Sequence, residues 1–390
     1  MVLADIKNTT TGAEEHRGAG WNPAGSQQRS RGTPTARVAL VHLGRPSGLG
    51  TTRRFEVWRQ LLEAAGLDVI EVDLLRDHHR RVPMPLTALP ALRGQVVPES
   101  AVWSARAAET ALRALDPDAV VFITPRAFHP RLGRIARVSV LDFQDLFSAS
   151  YRGRATVDAR RSARAGWRLL ACATQRFESR DHGVQVVTAG WSEARDLDAV
   201  WIPNTVTVVP RLSIDDHEAA SYDVLFFGML ASLPNVDALR TLSGLWPQLV
   251  SKRPSATCLI AGSSLSDEVR HVAGRHGWQL EEDFDDVDTL CQQARVGVVP
   301  LRYANGIQNK VLEAAAAGLP QVVSPQALRG TAPGFPAIAA RNPAETVDAL
   351  GALLSDPVRR VELGSLARAH VLEHYSVERW APKVLELVAG

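Results

Sequence analysis

The stretch PLRYANGIQNKVLEAAAAGLP, residues 300–320, decides how the chain is organised. It follows the apolar run VGVV at 296–299, which predicts a buried strand. Within the stretch, a loop of small and polar residues leads into an alanine-rich run, which predicts a helix from Asn309 to Ala317 that Gly318 ends. A strand, a loop and a helix in this order form the unit from which parallel sheets are built.

The first turn of this predicted helix is suited to binding a nucleotide. Its backbone N–H groups have no partner inside the helix, and together with the helix dipole they favour a phosphate group. Lys310 would be an unfavourable cation here unless a bound anion compensated it. Glu313 lies on the same helical face, with a carboxylate suited to accept hydrogen bonds from two ribose hydroxyls. The alternative is that Lys310 and Glu313 form a solvated pair on a surface helix.

The same alternation of strands and helices extends over most of the chain and predicts the α/β class. Two such series are separated by a stretch with prolines and charges but no clear period, which predicts a linker between two domains. The first residues are polar and aperiodic, so we expect a disordered tail. The predicted segments are the tail 1–35, the first domain 36–205, the linker 206–222, the second domain 223–375 and a last helix 376–390.

The composition limits the classes of function. A length of 390 residues, 45% of them apolar and 22% charged, is typical of a globular protein with two domains. The net charge of +2 gives no basis for nucleic-acid binding. Cys172, Cys258 and Cys291 lack the spacing of a metal site, so no metal is expected. The apolar runs are shorter than the roughly 20 residues of a membrane span, and the first residues lack a signal-peptide pattern, so we expect a cytoplasmic protein.

Several short blocks of the second half are informative because of their order. They are FFG at 226–228, PNVDAL at 234–239, WP at 246–247, IAG at 260–262, VPL at 299–301 and GLPQV at 318–322. Over roughly 223–388 the chain resembles the C-terminal domain of glycosyltransferase family 4, the group 1 glycosyltransferases. The resemblance implies a GT-B fold, in which two Rossmann-like domains face a cleft and the last helix crosses back to the first domain. Ser376 is expected to cap that helix, and Pro382 to kink or break it.

The first half resembles the N-terminal domain of the same family at three places. They are GLG at 48–50, LDFQD at 141–145, and the closing elements SE at 192–193 and IPN at 202–204. The resemblance places the acceptor mainly in this domain and the nucleotide in the other.

Three departures from the family pattern bear on the site. The family has two glutamates eight positions apart, and here Asn305 takes the place of the first while Glu313 is the second. Gln144 takes the place of a histidine that contacts the transferred sugar in the family. A basic pair expected just after Gly228 is missing, and Lys310 is expected to supply part of the lost charge.

The resemblance implies a retaining, metal-independent transfer of a sugar from a nucleoside-diphosphate sugar to an acceptor hydroxyl, with no further cofactor. The implied catalytic residues are Gln144, Asp145, Asn305 and Lys310. The implied donor-binding residues are Gly48, Gly50, Gly228, Gly306, Ile307, Asn309, Lys310 and Glu313. We expect the neutral amides of Gln144 and Asn305 to face the sugar from opposite sides of the cleft and to select its hydroxyl pattern. The alternative for Asp142 and Asp145 is a helix-capping pair after a buried strand.

Partners and rival functions follow from the remaining features. The acceptor is expected to be a glycan, a lipid or a small-molecule glycoside. The segment Arg152–Arg180 holds eight arginines and two acidic residues. It is either a solvated helix face or a peripheral contact with anionic lipid or an acidic acceptor. In the case of lipid, the contact would be at the inner face of the membrane.

Two rival functions remain open. Because of Asn305 and Gln144, the first is a weak or inactive nucleotide-sugar-binding GT-B protein, and the second is a GT-B nucleotide-sugar epimerase.

Overall fold

The structure is a computed structural model that describes residues 36–44, 50–78, 90–91, 93–97, 103–157, 160–206, 219–284 and 286–390. The predicted tail 1–35, the loop residue Gly48 and residues 207–218 of the predicted linker lie outside the described residues. Two parallel sheets of six strands each organise the described part, which confirms the predicted α/β class.

The first sheet has the strand order β2-β1-β3-β4-β5-β6. Its strands β3 and β4 are buried along their whole length, as strands between two helical layers should be. The strands are β1 (Arg37–His42), β2 (Asp68–Asp73), β3 (Ala119–Ile123), β4 (Val138–Asp142), β5 (Gln185–Thr188) and β6 (Val200–Trp201). The helices that accompany them are α1 (Gly50–Ala64), α2 (Leu74–His78), α3 (Ala105–Leu115), α4 (Phe147–Val157), α5 (Arg161–Glu178) and α6 (Trp191–Leu197).

The second sheet has the order β12-β11-β10-β7-β8-β9 and the same parallel pairing. Its strands are β7 (Tyr222–Phe227), β8 (Cys258–Gly262), β9 (Gln279–Glu282), β10 (Ala294–Val299), β11 (Gln321–Val323) and β12 (Ile338–Ala339). Its helices are α7 (Leu233–Lys252), α8 (Asp267–His276), α9 (Val287–Gln292), α10 (Asn309–Ala317), α11 (Pro343–Ser355) and α12 (Pro357–Tyr375).

The last helix, α13 (Val377–Ala389), crosses back to the first sheet as the resemblance implies. Its apolar face joins the core formed by β1 and α1, with Trp380, Val384 and Leu387 among the buried members. Burying three such side chains stabilises the crossing by roughly 1.5 to 3 kcal/mol each. No described helix combines the length and the apolar character that a membrane span requires.

Two predicted details of helix ends need correction. Ser376 precedes α13, but its side chain forms no capping hydrogen bond. Pro382 neither breaks nor ends α13, since the helix continues through it to Ala389. For α3, Ser104 is the cap, because its hydroxyl accepts a hydrogen bond from the Ala107 N–H.

Candidate functional site

The second sheet reverses its winding direction between β7 and β10. The chain continues from β7 to β8 on one side, while β10 lies on the other side, so the loops after β7 and β10 diverge at the carboxyl edge. Gly228 follows β7, and residues 300–308 lead from β10 into α10. The first sheet has the same reversal between β1 and β3. Ligands of doubly wound sheets bind at such reversals, so both edges are candidates for the site.

Lys310, the second residue of α10, is buried at this edge with 9% of its surface exposed. Its Nζ donates a hydrogen bond to Asn235 Oδ1 at 2.5 Å and lies 4.4 Å from the centroid of the Phe226 ring. Burial lowers the pKa of Lys310 to about 7, and the nearby Glu313 carboxylate opposes that shift. Lys310 is therefore not half of a solvated pair, and within the described chain its hydrogen-bond partner is neutral.

Gly228 allows the lysine to reach this position. Its φ of 141° lies in a region that residues other than glycine rarely adopt. A Cβ at this position would lie 2.9 Å from Lys310 Nζ and 3.1 Å from Asn235 Nδ2. The backbone after β7 thus approaches the buried ammonium directly.

Glu313, one turn further along α10, is partly covered and has 26% of its side chain exposed. Burial raises its pKa, while the Arg53 guanidinium and the Lys310 ammonium oppose the shift. One Arg53 nitrogen lies 4.0 Å from Glu313 Oε1 and donates to the Thr205 carbonyl at 3.0 Å. Arg53 belongs to α1, so the first half of the chain contributes to this edge of the second sheet. Sequence reasoning missed Arg53.

Gly306 brings the loop after β10 against the first half of the chain. Its N–H donates to the buried Glu193 carboxylate at 3.0 Å, and its φ is 58°. The Asp145 carboxylate occupies the space where a side chain would begin, since a Cβ at position 306 would lie 1.5 Å from Asp145 Oδ1. The two halves of the chain therefore meet directly at this predicted donor-binding glycine, which no other residue type fits.

The surroundings of Asp145 alter the pKa of its carboxyl group. Burial raises its pKa to about 8, and the neighbouring carboxylates of Glu193 and Asp142 add to the shift while Arg54 opposes it. At neutral pH the protonated form predominates, so Asp145 can donate as well as accept a hydrogen bond. It is not the capping group of a helix: its backbone N–H and side chain lie at the end of β4, against Gly306.

The two predicted sugar-facing amides differ in their surroundings. Gln144 adopts a φ of 57°, which is uncommon for a side-chain-bearing residue, and its N–H donates to Asp142 Oδ1 at 2.8 Å. Asn305 is satisfied when its oxygen accepts from the Ser150 N–H at 2.9 Å and the Ser150 hydroxyl at 2.8 Å, while its nitrogen donates to the Ala304 carbonyl at 3.0 Å. Asn305 thus joins the two halves of the chain through Ser150.

A buried polar network lies behind the site, and sequence reasoning did not find it. The Asp142 carboxylate accepts from Arg54 at 2.6 and 3.2 Å and from the Trp58 indole at 2.7 Å, so Asp142 is not a helix cap either. Arg54 has no exposed surface. One signal was available: Arg54 and Trp58 are four residues apart, which places Arg54 on the same apolar face of the predicted helix α1.

The remaining predicted donor-binding residues have different positions. Asn309 is the first residue of α10, and its Oδ1 accepts from Asn204 at 2.7 Å. The side chain of Ile307 packs in the core of the second sheet, so it is not available to a ligand. Gly50 is the first residue of α1, and Gly48 lies outside the described residues. In the described ranges, no cluster of three or more His, Cys, Asp or Glu side chains could hold a metal ion.

Comparison with known proteins identifies the second half of the chain. Residues 221–356 match the family model described as glycosyl transferases group 1. A search of curated proteins returned no match.

Solved structures share the two-sheet architecture at low sequence identity. HepE from Anabaena, solved in complex with UDP and glucose, is 15% identical, with a TM-score of 0.59 over 92% of this chain and 100% of HepE. Sucrose-phosphate synthase from Thermosynechococcus elongatus is 16% identical, with a TM-score of 0.62 over 91% of this chain and 98% of the synthase. TarM from S. aureus, in a complex with fondaparinux, alpha-GlcNAc-glycerol and UDP, is 14% identical, with a TM-score of 0.57 over 73% of this chain. The match spans 58% of the length of TarM.

At these identities the likeness establishes the fold, and the family match covers residues 221–356. The predicted resemblance is confirmed on both points. Residues 221–356 match the group 1 glycosyl transferase family model, and the chain as a whole has the GT-B fold.

Proposed function

We propose that this protein is a retaining glycosyltransferase that moves a sugar from a nucleoside-diphosphate sugar to an acceptor hydroxyl. One observation supports the proposal most strongly: a lysine is buried at the start of α10, where the helix dipole already disfavours a cation. Its protein hydrogen-bond partner is the neutral Asn235. A diphosphate bound beside Lys310 would compensate the ammonium and accept from the free N–H groups of the helix start.

Glu313 extends this arrangement to the nucleoside. In the proposed complex its carboxylate accepts hydrogen bonds from both ribose hydroxyls, since it lies one turn from Lys310 and remains partly exposed. Arg53, from the first half of the chain, lies beside the Glu313 carboxylate. HepE and TarM were solved with UDP, so a UDP-sugar is the first donor to test.

The proposed reaction needs no covalent intermediate with the protein. The bond between the anomeric carbon and the phosphate oxygen breaks, and the acceptor oxygen bonds to the same face of that carbon. The acceptor proton moves to the departing phosphate oxygen. Lys310 and the N–H groups at the start of α10 stabilise the negative charge that develops on the diphosphate, which is electrostatic preorganisation. In this proposal they take the place of a metal ion.

A second candidate is a nucleotide-sugar-binding protein with little or no activity. It is favoured by the Asn305 amide, which is engaged with Ser150 and does not carry the charge of the glutamate found at this place in the family. Gln144, in contrast, has no side-chain hydrogen bond among the described residues and is free to select the sugar. An epimerase remains the third candidate, without a structural feature in its favour.

A panel of UDP-, GDP-, ADP- and dTDP-sugars separates the candidates. We expect slow release of one nucleoside diphosphate by the wild type and its loss in Lys310→Met, because the leaving group then lacks its cation. Binding without release would identify the inactive protein, and recovery of an epimeric nucleotide sugar would identify the epimerase.

Once an acceptor is known, the anomeric coupling constant of the product, measured by NMR, tests retention. The same panel on Gln144→Ala and Asn305→Glu tests sugar selection, and identical donor rankings would contradict it.

The basic segment supports a proposal about location. In α5, Arg161, Arg168 and Leu169 are exposed, and Leu169 has 62% of its surface accessible. We retain the proposal that this face contacts anionic lipid at the inner side of the membrane, with the acceptor being a lipid, a glycan or a small-molecule glycoside. Sedimentation with phosphatidylglycerol vesicles tests it. Equal sedimentation of the wild type and an Arg161→Glu, Arg168→Glu variant would contradict it.

A further inference from the structure

A continuous chain of hydrogen bonds runs from the end of β4 in the first sheet to the start of α10 in the second. Asp142 binds the Arg54 guanidinium at 2.6 and 3.2 Å. Arg54 then donates to Asn204 Oδ1 at 3.1 Å, and Asn204 Nδ2 donates to Asn309 Oδ1 at 2.7 Å. Arg54, Asp142 and Asn204 are buried, so water does not compete for these bonds.

Arg54 fixes the direction of every hydrogen bond in this chain. A guanidinium only donates, so Asn204 must turn its oxygen toward Arg54. Its amide nitrogen then faces Asn309, which must present its own oxygen. The orientation of the Asn309 amide, normally ambiguous between oxygen and nitrogen, is thereby determined from a residue of the first sheet.

We propose that Arg54 and Asn204 are positioning residues that hold the Asn309 side chain with its NH2 group free to donate to the diphosphate of the donor. The inference rests on the proposed function. Asn309 directly precedes Lys310 in the first turn of α10, and the described residues include no partner for its Nδ2. The free NH2 group would add a neutral donor beside the ammonium at the leaving group.

The bond between Asn204 and Asn309 also couples this orientation to the contact between the two halves. Asn204 follows β6 of the first sheet, while Asn309 belongs to the second. Separating the sheets breaks the bond and leaves the Asn309 amide free to rotate. The preferred orientation therefore exists only when the two sheets are together, as they are in this structure.

Calorimetry with UDP on four full-length proteins tests the inference. They are the wild type, Asn204→Leu, Asn204→Asp and the control Asn342→Asp, which changes an asparagine that caps α11 to an equally good cap. Asn204→Asp still accepts from Arg54 but cannot donate, so Asn309 must turn its NH2 group inward. We expect UDP affinity to fall about tenfold or more in Asn204→Asp, since a hydrogen bond to a charged group is lost. Asn204→Leu should bind three- to tenfold more weakly than the wild type, and Asn342→Asp within twofold of it.

Three results would overturn the inference. If Asn204→Leu binds UDP as tightly as the wild type, any loss in Asn204→Asp comes from the added charge and not from the orientation of Asn309. If Asn204→Asp binds UDP as tightly as the wild type, the orientation of the Asn309 amide does not matter for binding. Affinity losses that only follow losses in melting temperature would show a structural role, because Asn204→Asp keeps the Arg54 bond and should melt close to the wild type. In each of these cases the wild type still binds UDP and the proposed function stands. No binding of any nucleoside diphosphate by the wild type would overturn the proposed function, and the inference with it.

Discussion

Two buried cations lie near the contact between the sheets, and the fold provides for them differently. Arg54 is completely buried and paired with the buried Asp142 carboxylate, which also accepts from Trp58. Lys310 is almost as deeply buried, but it meets a neutral amide and the face of the Phe226 ring. A guanidinium cannot lose its proton in a protein, whereas an ammonium can. The comparison teaches that the chain gives one buried cation a charged hydrogen-bond partner and the other a neutral one, which is the arrangement that the proposed diphosphate site requires.

The pairing of Arg54 predicts the largest effect on stability. Arg54→Met leaves Asp142 buried without its cation, and breaking a buried pair in this way costs about 3 to 5 kcal/mol. We expect the melting temperature to fall by on the order of 10 °C. The matched control is Arg240→Met, which removes the exposed ion pair with Glu268 and should change stability by less than about 1 kcal/mol. Similar melting temperatures for the two variants would break the comparison.

The contact between the two halves of the chain can be tested at Gly306. In Gly306→Ala the new Cβ collides with the Asp145 carboxyl group, and the φ of 58° is strained for alanine. We expect a loss of about 1 to 3 kcal/mol in the free energy of unfolding and at least a tenfold loss of donor turnover. Gly274→Ala is the control, because it lies within α8 with open space around it and should be neutral or slightly stabilising. Full turnover in Gly306→Ala would show that the contact is not needed.

Among the described residues Lys310 forms no ion pair and its hydrogen-bond partner is neutral, which predicts that the wild type is less stable than it could be. The pKa of Lys310 falls from 10.5 when unfolded to about 7 when folded, so the unfolded chain binds more protons between these values and stability rises with pH across that window. Lys310→Met should therefore raise the free energy of unfolding by about 1 to 2 kcal/mol below pH 7, a gain that shrinks toward pH 10.5. Thermal melts between pH 6 and 10 measure it. A loss of stability at every pH would mean that Lys310 is a structural residue.

The sequence predicts the elements around the site better than the contacts between them. The bounds of α10 follow from local signals, since the alanine-rich run has high helix propensity and Gly318 ends it with a positive φ. Lys310 is recognisable for the same reason, as a cation at an unfavourable end of a helix. Arg53, Glu193 and Asn204 contact residues more than 100 positions away. No local pattern encodes which of them meet.

Asn305 also shows that contacts between the two sheets cannot be predicted from local sequence. Its place in the predicted loop is clear, but its interaction with Ser150 depends on how the two sheets approach each other. The role predicted for it in sugar selection stays a prediction. Asp142 and Asp145 illustrate why: Asp142 ends β4 and belongs to a buried ion pair, whereas Asp145 lies three residues later and contacts Gly306.

Asp145 offers a smaller test of the same electrostatics. Its pKa rises from 3.8 when unfolded to about 8 when folded, so the folded state loses relative stability as the pH increases through that range. Asp145→Asn mimics the protonated form and should gain stability relative to the wild type as the pH rises from 4 to 8.5, by up to about 1.4 kcal/mol per pH unit. The measurement is the difference in melting temperature at the two ends of the range. A constant difference would contradict the assigned titration.

Proton uptake on ligand binding tests the central claim most directly. At pH 7 about half of the Lys310 side chains are neutral, and a bound diphosphate should restore their protons. Calorimetric titration with UDP in two buffers of different ionisation enthalpy gives the number of protons taken up. We expect roughly half a proton more for the wild type than for Lys310→Arg, whose guanidinium stays charged. Equal proton uptake by the two proteins, with UDP bound by both, would show that the diphosphate does not bind at Lys310.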